Sequence, residues 1–475
     1  DLHLRLRRQR QMCIRDRSNT RKQKVVSRAS RDSTAKSNSD RKIRVRRHGL
    51  ASHKVSPSAL TVVHDLQDAG YAAEVVGGCV RDLLLGHEPK DFDVVTDAEP
   101  EEVRAIFRRA RVIGRRFRLV HVRIGRDVVE VSTYRAPPKR GSVGFEAHAE
   151  QGRILRDNVF GTRDDDARRR DFSINALYYD PVENVLIDYV GGFPDLQRQL
   201  LRVIGDPKRR FEEDPVRMLR AVRFAVRLDL KMEKRMESVL PGLAGLLGHV
   251  PPARLFDEVL KIFHCGQGYA AYQKLIRLNL LGELFPESMR VHTKVDFDPD
   301  RGLVSLALRN TDRRLADGKP VISAFLFAVM LWRAVSLETD RNQKRGMAPV
   351  QSLHLAIGAV IGRQQQRVTI SRRVATTMFD MWNLQRWLLE RRARLVPKTL
   401  AHKRFRAAYD FLMLRISAGE VPAEIGTWWT RIQEVDGPTR RKMIADLSSP
   451  QRQGCLLYKS PSTRDLSTYR IPSSA

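Results

Sequence analysis

Acidic residues are scarce in this 475-residue chain: 55 Asp+Glu stand against 86 Lys+Arg, a formal net charge of +31 at pH 7. That balance excludes a polycation as the main partner and attracts polyanions in a salt-dependent way, nucleic acid first among them. Cysteine is rare as well. Cys13, Cys79, Cys265 and Cys455 lie far apart and form no Cys-x-x-Cys pair, which argues against a disulfide framework and a cysteine-built zinc site. Long apolar runs are missing too. No stretch approaches the roughly 20 residues a membrane span needs, and the N-terminus lacks the apolar core of a secretory signal. A cytoplasmic protein with no membrane partner is expected.

At this length the chain exceeds one ordinary core, and roughly 100–200 residues per domain predicts two to four domains. Residues 1–50 hold 17 Lys+Arg and 4 Asp, with few large apolar side chains after Val26. This is the composition of a disordered basic arm, here bounded at 1–53, though an Arg-rich, acid-poor start is also that of an organellar transit peptide. Residues 1–17 and 455–475 resemble translated adapter read-through, and the chain remains strongly basic without them.

From 54 to 193 short strand and helix patterns alternate: strands at 74–76, 92–96, 119–124 and 128–134, helices from Cys79 and over 100–109, and a hairpin at 176–180 and 185–190. Residues 135–151, with Pro137, Pro138, Gly141 and Gly144, read as a loop. Beyond Asp195 the pattern is helical to about Asp446, broken at Gly205-Asp206-Pro207, Pro251-Pro252, Pro286 and Gly437-Pro438. The organisation expected is an α/β head at 54–193, a helical neck at 194–265, a helical body at 266–446 and a disordered tail at 447–475.

Chemistry concentrates in the run Val75-Val76-Gly77-Gly78-Cys79-Val80-Arg81-Asp82, followed by Lys90-Asp91-Phe92-Asp93. Side chains alternate along a strand, so Asp91 and Asp93 point the same way. Paired carboxylates with substrate phosphates suit Mg²⁺, although Asp-x-Asp also occurs in metal-dependent glycosyltransferases and as two solvated charges at a strand edge. Gly77 and Gly78 between a strand and a helix let backbone amides approach an anion, or simply make a tight turn. No Gly-x-Gly-x-x-Gly or Gly-x-x-x-x-Gly-Lys-Ser/Thr pattern competes here. Arg81 presents a fork for a terminal phosphate, with Asp82 as its alternative partner. A third carboxylate is expected, and Glu130, on the polar face of the apolar strand around Val129 and Val131, fits better than the turn residue Asp127.

Two later blocks are less decided. In Arg169-Arg170-Asp171-Phe172-Ser173-Ile174-Asn175, charges lead into an apolar helix start. Spacing alone does not choose between Arg170 on triphosphate with Asp171 and Asn175 on sugar or site backbone, and Asp171 as a helix cap with Asn175 as a structural hydrogen-bonder. In Glu213-Asp214-Pro215-Val216-Arg217-Met218-Leu219-Arg220, Asp214 reads as a cap before a first-position proline. Arg217 and Arg220 form a basic stripe that can bind phosphate or read a base edge.

Taken in order, these blocks resemble the class of nucleotidyltransferases that contains bacterial poly(A) polymerases and CCA-adding enzymes. Asp188-Tyr189-Val190-Gly191-Gly192 and Arg254-Leu255-Phe256-Asp257-Glu258 extend the match, which is dense over 54–265. The resemblance implies an α/β polymerase-β-like nucleotidyltransferase head followed by an all-α neck and body. It implies two Mg²⁺ ions (or Mn²⁺) on Asp91 and Asp93 with Glu130, and ATP contacts from Gly77, Gly78, Arg81, Arg170, Asp171, Asn175, Asp214, Arg217 and Arg220. The run 112–122 and the body segments 310–314, 320–328 and 405–410 are similar to poly(A) polymerases rather than CCA-adding enzymes. The expectation is a template-independent adenylyltransferase that extends RNA 3′ ends from ATP, in bacterial mRNA 3′-processing and decay, with RNA-decay proteins as further partners. The alternatives are a CCA-adding tRNA nucleotidyltransferase and, more distantly, an inactive RNA-binding homologue. The cluster Arg391, Arg392, Arg394, Lys398, Lys403, Arg404 and Arg406 is expected to track RNA phosphates or to be a solvated helix face.

Overall fold

The computed structural model describes residues 44–114, 118–136, 159–291, 298 and 301–448. They fall into two compact units, one ending at Leu284 and one beginning at Phe285. The basic arm to residue 43, most of the 135–151 loop, residues 115–117 of the run 112–122, and everything from 449 onward lie outside the described residues.

The first unit is organised on one sheet of eight strands: β1 (Arg44–Val45), β2 (Ala73–Val76), β3 (Asp93–Thr96), β4 (Ala110–Ile113), β5 (Leu119–Ile124), β6 (Asp127–Thr133), β7 (Leu177–Asp180) and β8 (Val185–Asp188). Their order is β1-β8-β7-β2-β3-β6-β5-β4. Neighbours are antiparallel except β3 and β6, which run parallel. In β6 the expected alternation holds, with Val129, Val131 and Thr133 buried and Glu130 exposed between them. Helix Pro57–Asp68 starts where Ser56 accepts the Ala59 N–H at 3.1 Å, and buries Ala59, Val62, Val63 and Leu66 at helical spacing. It lies against β2, β3 and β6.

Three local expectations need correction. The strand expected from Phe92 begins at Asp93, leaving Asp91 on the approach to it. The helix expected over 100–109 stops at Ile106, and the chain turns into β4, a half-exposed edge strand whose short pattern is obscured by Arg108, Arg109 and Arg111. At 169–177 the helix comes before, not after, the charges. Helix Arg163–Arg169 is opened by a reciprocal cap between Thr162 and Asp165, and the chain then makes a single 3₁₀ turn, Ser173–Asn175, and enters β7.

Beyond the sheet the first unit is helical, apart from a small parallel ladder between Leu200–Leu201 and Lys231–Met232. Asp206 and Pro207 start helix Pro207–Glu213, and the Asp206 carboxylate accepts the Arg209 N–H at 3.1 Å. Helix Val216–Arg227 buries Met218, Leu219, Ala221, Val222 and Ala225 and packs on helix Pro252–Phe263. The second unit is all-helical among its described residues, with long helices Ser323–Lys344, Pro349–Gln365 and Arg372–Glu390. Its buried indoles find partners: Trp382 donates to the Ala328 carbonyl at 3.2 Å and Trp429 to that of Leu388 at 2.8 Å.

Candidate active site

Register brings the carboxylates together. Val76, the last residue of β2, pairs with Asp93, the first of β3, and Asp93 pairs with Glu130 in the middle of β6. Paired residues on adjacent strands present side chains on the same face. One row therefore carries Val76, Asp93 and Glu130, with Gly77 next in the chain after Val76 and Asp91 two residues upstream of Asp93. Asp93 is exposed as a residue, yet protein packs around it. This confinement, then the Glu130 charge, and behind both the Asp91 charge, raise its carboxyl to about 6 against the opposing pull of Arg170. Glu130 also meets His121, its partner on β5, at 3.3 Å. Asp127 accepts the Ser58 hydroxyl at 2.7 Å and ties the turn to helix Pro57–Asp68.

Among the described residues no three His, Cys, Asp or Glu side chains are gathered tightly enough to enclose a metal ion as they stand. The donor set nevertheless fits a divalent cation. All three groups are hard oxygen donors, and Asp93, raised first by burial, is raised further by the Glu130 and Asp91 charges, which a bound cation would offset.

Gly77 takes φ +81°, and a Cβ there would lie 3.2 Å from a guanidinium nitrogen of Arg170. The positive φ is what favours glycine, and a Cβ would in addition crowd that guanidinium. Arg170 leans over the end of β2, held by Asp166 at 2.9 Å and by the Tyr178 hydroxyl at 3.3 Å, and it donates to the Asn175 carbonyl at 3.3 Å. Burial works against its charge, but Tyr178 and Asp166 keep its pKa raised. Asp166 and Tyr178 were missed in the sequence; the helical i,i+4 spacing of Asp166 and Arg170 was the available signal. Arg81 departs from its expected role. It is buried, its donors go to Asp82 at 2.6 Å and the Asn175 side-chain oxygen at 2.5 Å, and its guanidinium sits 5.2 Å from the Phe224 ring centre.

Asp171 and Asn175 form the hinge between sheet and helices. Asp171 accepts from Asn175 at 3.1 Å, from the Phe172 N–H at 2.8 Å and from Arg220 at 2.5 and 2.7 Å. Burial alone would raise the Asp171 carboxyl, but Arg220 and these donors hold it below the usual range. The basic stripe on helix Val216–Arg227 is thus not a free face. Arg220 pairs with Asp171, Arg223 lies 3.4 Å from Glu258, and Arg217 donates to the Arg210 carbonyl at 2.7 Å and to Glu213 at 3.2 Å. Asp214 does offer its carboxylate to the first turn of this helix, with Pro215 already in helical conformation after it. Asp214 closes the preceding helix, accepts the Val216 N–H at 3.3 Å and pairs with Arg254 at 2.7 Å.

The Asp188 segment supports this hinge from beneath. The Asp188 carboxylate accepts four backbone N–H groups, from Val190, Gly191, Gly192 and Phe193, at 2.9–3.1 Å. Gly192 is pressed against the Ser173 carbonyl, 2.1 Å from where its Cβ would stand. In the second unit, Arg392 pairs with Glu390 at 2.8 Å and Arg406 with Asp410 at 3.1 Å, while Arg391 lies over the Trp428 ring at 5.9 Å. Arg394, Lys398 and Lys403 are exposed, and Arg404 is half-buried.

Family models match three stretches in order. "Poly A polymerase head domain" covers residues 73–202, "Probable RNA and SrmB- binding site of polymerase A" covers 229–290, and "Polymerase A arginine-rich C-terminus" covers 345–465. Poly(A) polymerase I of Escherichia coli O6:H1 is 42% identical over 417 residues, spanning 86% of this chain and 89% of that protein. A CCA-adding enzyme of Lactobacillus helveticus is 32% identical over 246 residues, 51% of this chain and 59% of that one. Among solved structures, a Thermotoga maritima CCA-adding enzyme complexed with tRNA superposes with a TM-score of 0.54 at 20% identity over 85% of each chain, a likeness of fold.

Proposed function

The chain belongs to the poly(A) polymerase family of nucleotidyltransferases and is a polynucleotide adenylyltransferase, and on that premise we propose that Asp91, Asp93 and Glu130 form its catalytic centre. The family uses divalent metal; here Asp91 and Asp93 would hold two Mg²⁺ ions, or Mn²⁺, whose oxygen preferences are similar. Held by these carboxylates, such ions would supply Lewis-acid chemistry, lowering the pKa of an attacking hydroxyl and offsetting charge on a leaving pyrophosphate. The RNA 3′ oxygen bonds to the α-phosphorus of ATP, the bond to the pyrophosphate oxygen breaks, and the hydroxyl proton is released to solvent. The observation that supports this assignment is the register of Asp93 with Glu130 on adjacent parallel strands, at the end of β2 where Gly77 begins the turn.

Around that row the remaining residues position ATP. Gly77 and Gly78 leave room for the triphosphate beside Arg170, whose guanidinium is fixed by Asp166 and Tyr178. Arg81, Asp171, Asn175 and Arg220 act as one hydrogen-bonded hinge that sets the Arg170 loop, and Asp171 and Asn175 border the sugar. Asp214 and Arg217 meet the adenine edge. Arg217 spends one guanidinium nitrogen on the Arg210 carbonyl and Glu213, and its others can serve a base.

Adenylate tails rather than CCA ends are favoured by coverage, since the poly(A) polymerase match spans 86% of the chain and the CCA-adding match 51%. RNA is bound by the neck and, we propose, by the exposed cations Arg392, Arg394, Lys398, Lys403 and Arg406, with Arg391 and Arg404 behind them. No described helix is long and apolar enough to cross a membrane; the proposed setting is the cytoplasm, with RNA-decay proteins as partners. The test is incubation of the protein with generic RNA and each nucleotide in turn. Long tails made from ATP alone are expected, and two C followed by one A on tRNA would sink the reading. Asp91→Asn should abolish incorporation and leave RNA binding in place.

A further inference from the structure

The sheet face that presents Asp93 and Glu130 also holds a carboxylate that the proposed chemistry does not use. Side chains alternate along β2, so Glu74 shares the face of Val76, whose register partners are Asp93 and Tyr178. Glu74 is only 2% exposed, and Val95, its own register partner, belongs to an apolar cluster with Val76, Tyr134, Ala167 and Tyr178. Two donors reach its carboxylate, the Tyr134 hydroxyl and the Arg163 guanidinium. Arg163 also donates to the Tyr134 oxygen at 3.1 Å and lies 5.6 Å from the centre of its ring, so the three side chains close a triangle. Burial pushes the Glu74 carboxyl up to about 7; Arg163 and then Tyr134 pull against it, and the Asp180 and Asp97 charges add to the rise. Tyr189 is a further hydrogen-bond partner of Arg163.

Arg163 is the first residue of helix Arg163–Arg169, and apolar packing does little to place that helix. Of its residues only Asp166 and Ala167 are buried, so Ala167 alone brings it a buried apolar group. Asp166, one turn beyond Arg163, accepts the Tyr178 hydroxyl at 2.8 Å and holds Arg170 at 2.9 Å. The helix is therefore pinned to the sheet by polar contacts at two points, Glu74 on β2 at its start and Tyr178 on β7 at its middle. Arg170 follows directly from its end.

We propose that Glu74 and Arg163 are positioning residues for nucleotide addition: their pair sets the start of helix Arg163–Arg169, and through Asp166 the helix sets the Arg170 guanidinium against the triphosphate. An ion pair withdrawn from water, with its hydrogen bonds made, specifies one placement where apolar contact tolerates several. The assignment rests on the reading of Arg170 given above. Each variant is assayed for its KM with ATP and with an oligoadenylate primer, beside its urea midpoint. Arg163→Met should raise the KM for ATP roughly tenfold, the worth of one charge-assisted hydrogen bond, and leave the KM for primer unchanged. Arg163→Lys should recover most of that loss. Tyr134→Phe keeps the ring and removes only the hydroxyl; it should raise the KM for ATP about threefold, and it tests the same triangle should Arg163→Met not fold. By carboxyl ¹³C NMR the Glu74 titration should move upward in Arg163→Met, since Arg163 is the largest influence opposing its rise. Arg170→Ala should itself raise the KM for ATP, and Arg163→Met/Arg170→Ala should add little to it, because both changes act on one guanidinium. If Arg170→Ala raises that KM while Arg163→Met and Tyr134→Phe lower only the urea midpoint, or raise the KM for primer instead, the positioning role is wrong and the triphosphate reading stands. If Arg170→Ala leaves the KM for ATP unmoved, both fall.

Discussion

Gly192→Ala is the sharpest test of how the site is held. Its Cβ would stand 2.1 Å from the Ser173 carbonyl oxygen and 2.8 Å from the carbonyl carbon. Carbon–oxygen contacts settle near roughly 3.3 Å, so the two segments must separate by about 1.2 Å. Both atoms struck are backbone, and no rotamer change relieves the clash. Asp188 opposes any retreat of Gly192, because its carboxylate accepts four consecutive N–H groups there. The yielding element is then the Ser173 turn, which lies between Asp171 and Asn175. Overpacking of this kind costs about 3 kcal/mol, and displacement of positioning residues by about 1 Å costs on the order of 100-fold in rate. Urea unfolding should show the lost stability, and single-turnover AMP incorporation the lost rate. Gly245→Ala is the control, since nothing lies within 4 Å of its Cβ position; it should stay within about 0.5 kcal/mol. A Gly192→Ala protein with the wild-type urea midpoint and kcat/KM would refute the positioning role.

Other outcomes follow from the same geometry. The Asp93 carboxyl should titrate near pH 6 in metal-free protein by carboxyl ¹³C NMR, and Glu130→Gln should move it downward, since the Glu130 charge is its main electrostatic cause. The sign for folding is that of a raised acid: stability from protonated Asp93 is complete below its unfolded value of 3.8 and is lost as pH rises through about 6. An unshifted Asp93 in Glu130→Gln would contradict the row. Arg220→Ala leaves Asp171 with neutral donors only, and should cost about 2–3 kcal/mol in chemical denaturation, less than a wholly buried pair because Arg220 is one-third exposed. Asp171→Asn/Arg220→Ala should lose less than the sum of the single changes. Converting Arg394, Lys398 and Lys403 to Ala should lower the salt slope of single-stranded RNA binding by about 2, at about 0.7 per contact, with the KM for ATP unmoved; an unchanged slope removes the body from the RNA path.

Much of the proposed site was legible because it is local in sequence. Gly77-Gly78 and Asp91-x-Asp93 are short motifs with a mechanism attached, and Glu130 was singled out because a lone glutamate alternates with valines that prove buried on one strand. The proline breaks at Pro207, Pro252, Pro286 and Pro438 coincide with helix starts, since proline in a first helical turn gives up an N–H that would have no partner there. What the sequence left open has one cause. Arg81, Arg217 and Arg220 look alike on paper, and which partners an arginine meets depends on residues distant in the chain. Asp171 lies 49 residues from Arg220, and Asn175 lies 94 from Arg81. Helix Arg163–Arg169 did carry a local sign in Thr162 and Asp165, but its apolar content is too low for a periodicity search.

The sequence by itself therefore determined the chemistry available: a basic chain, a carboxylate set, a glycine turn beside it, and helices delimited by proline. Each depends on residue type and near-neighbour spacing, which the chain carries wherever it folds. Tertiary structure alone decided which charges meet. Parallel pairing of β3 with β6 sets Asp93 beside Glu130, and burial, then the Glu130 charge, raises the Asp93 pKa. Close approach of Gly192 to Ser173 fixes the loop that aims Arg170. Those facts arise from register and packing between segments far apart in the chain, where a shift of one residue would turn the same carboxylates to opposite faces of the sheet.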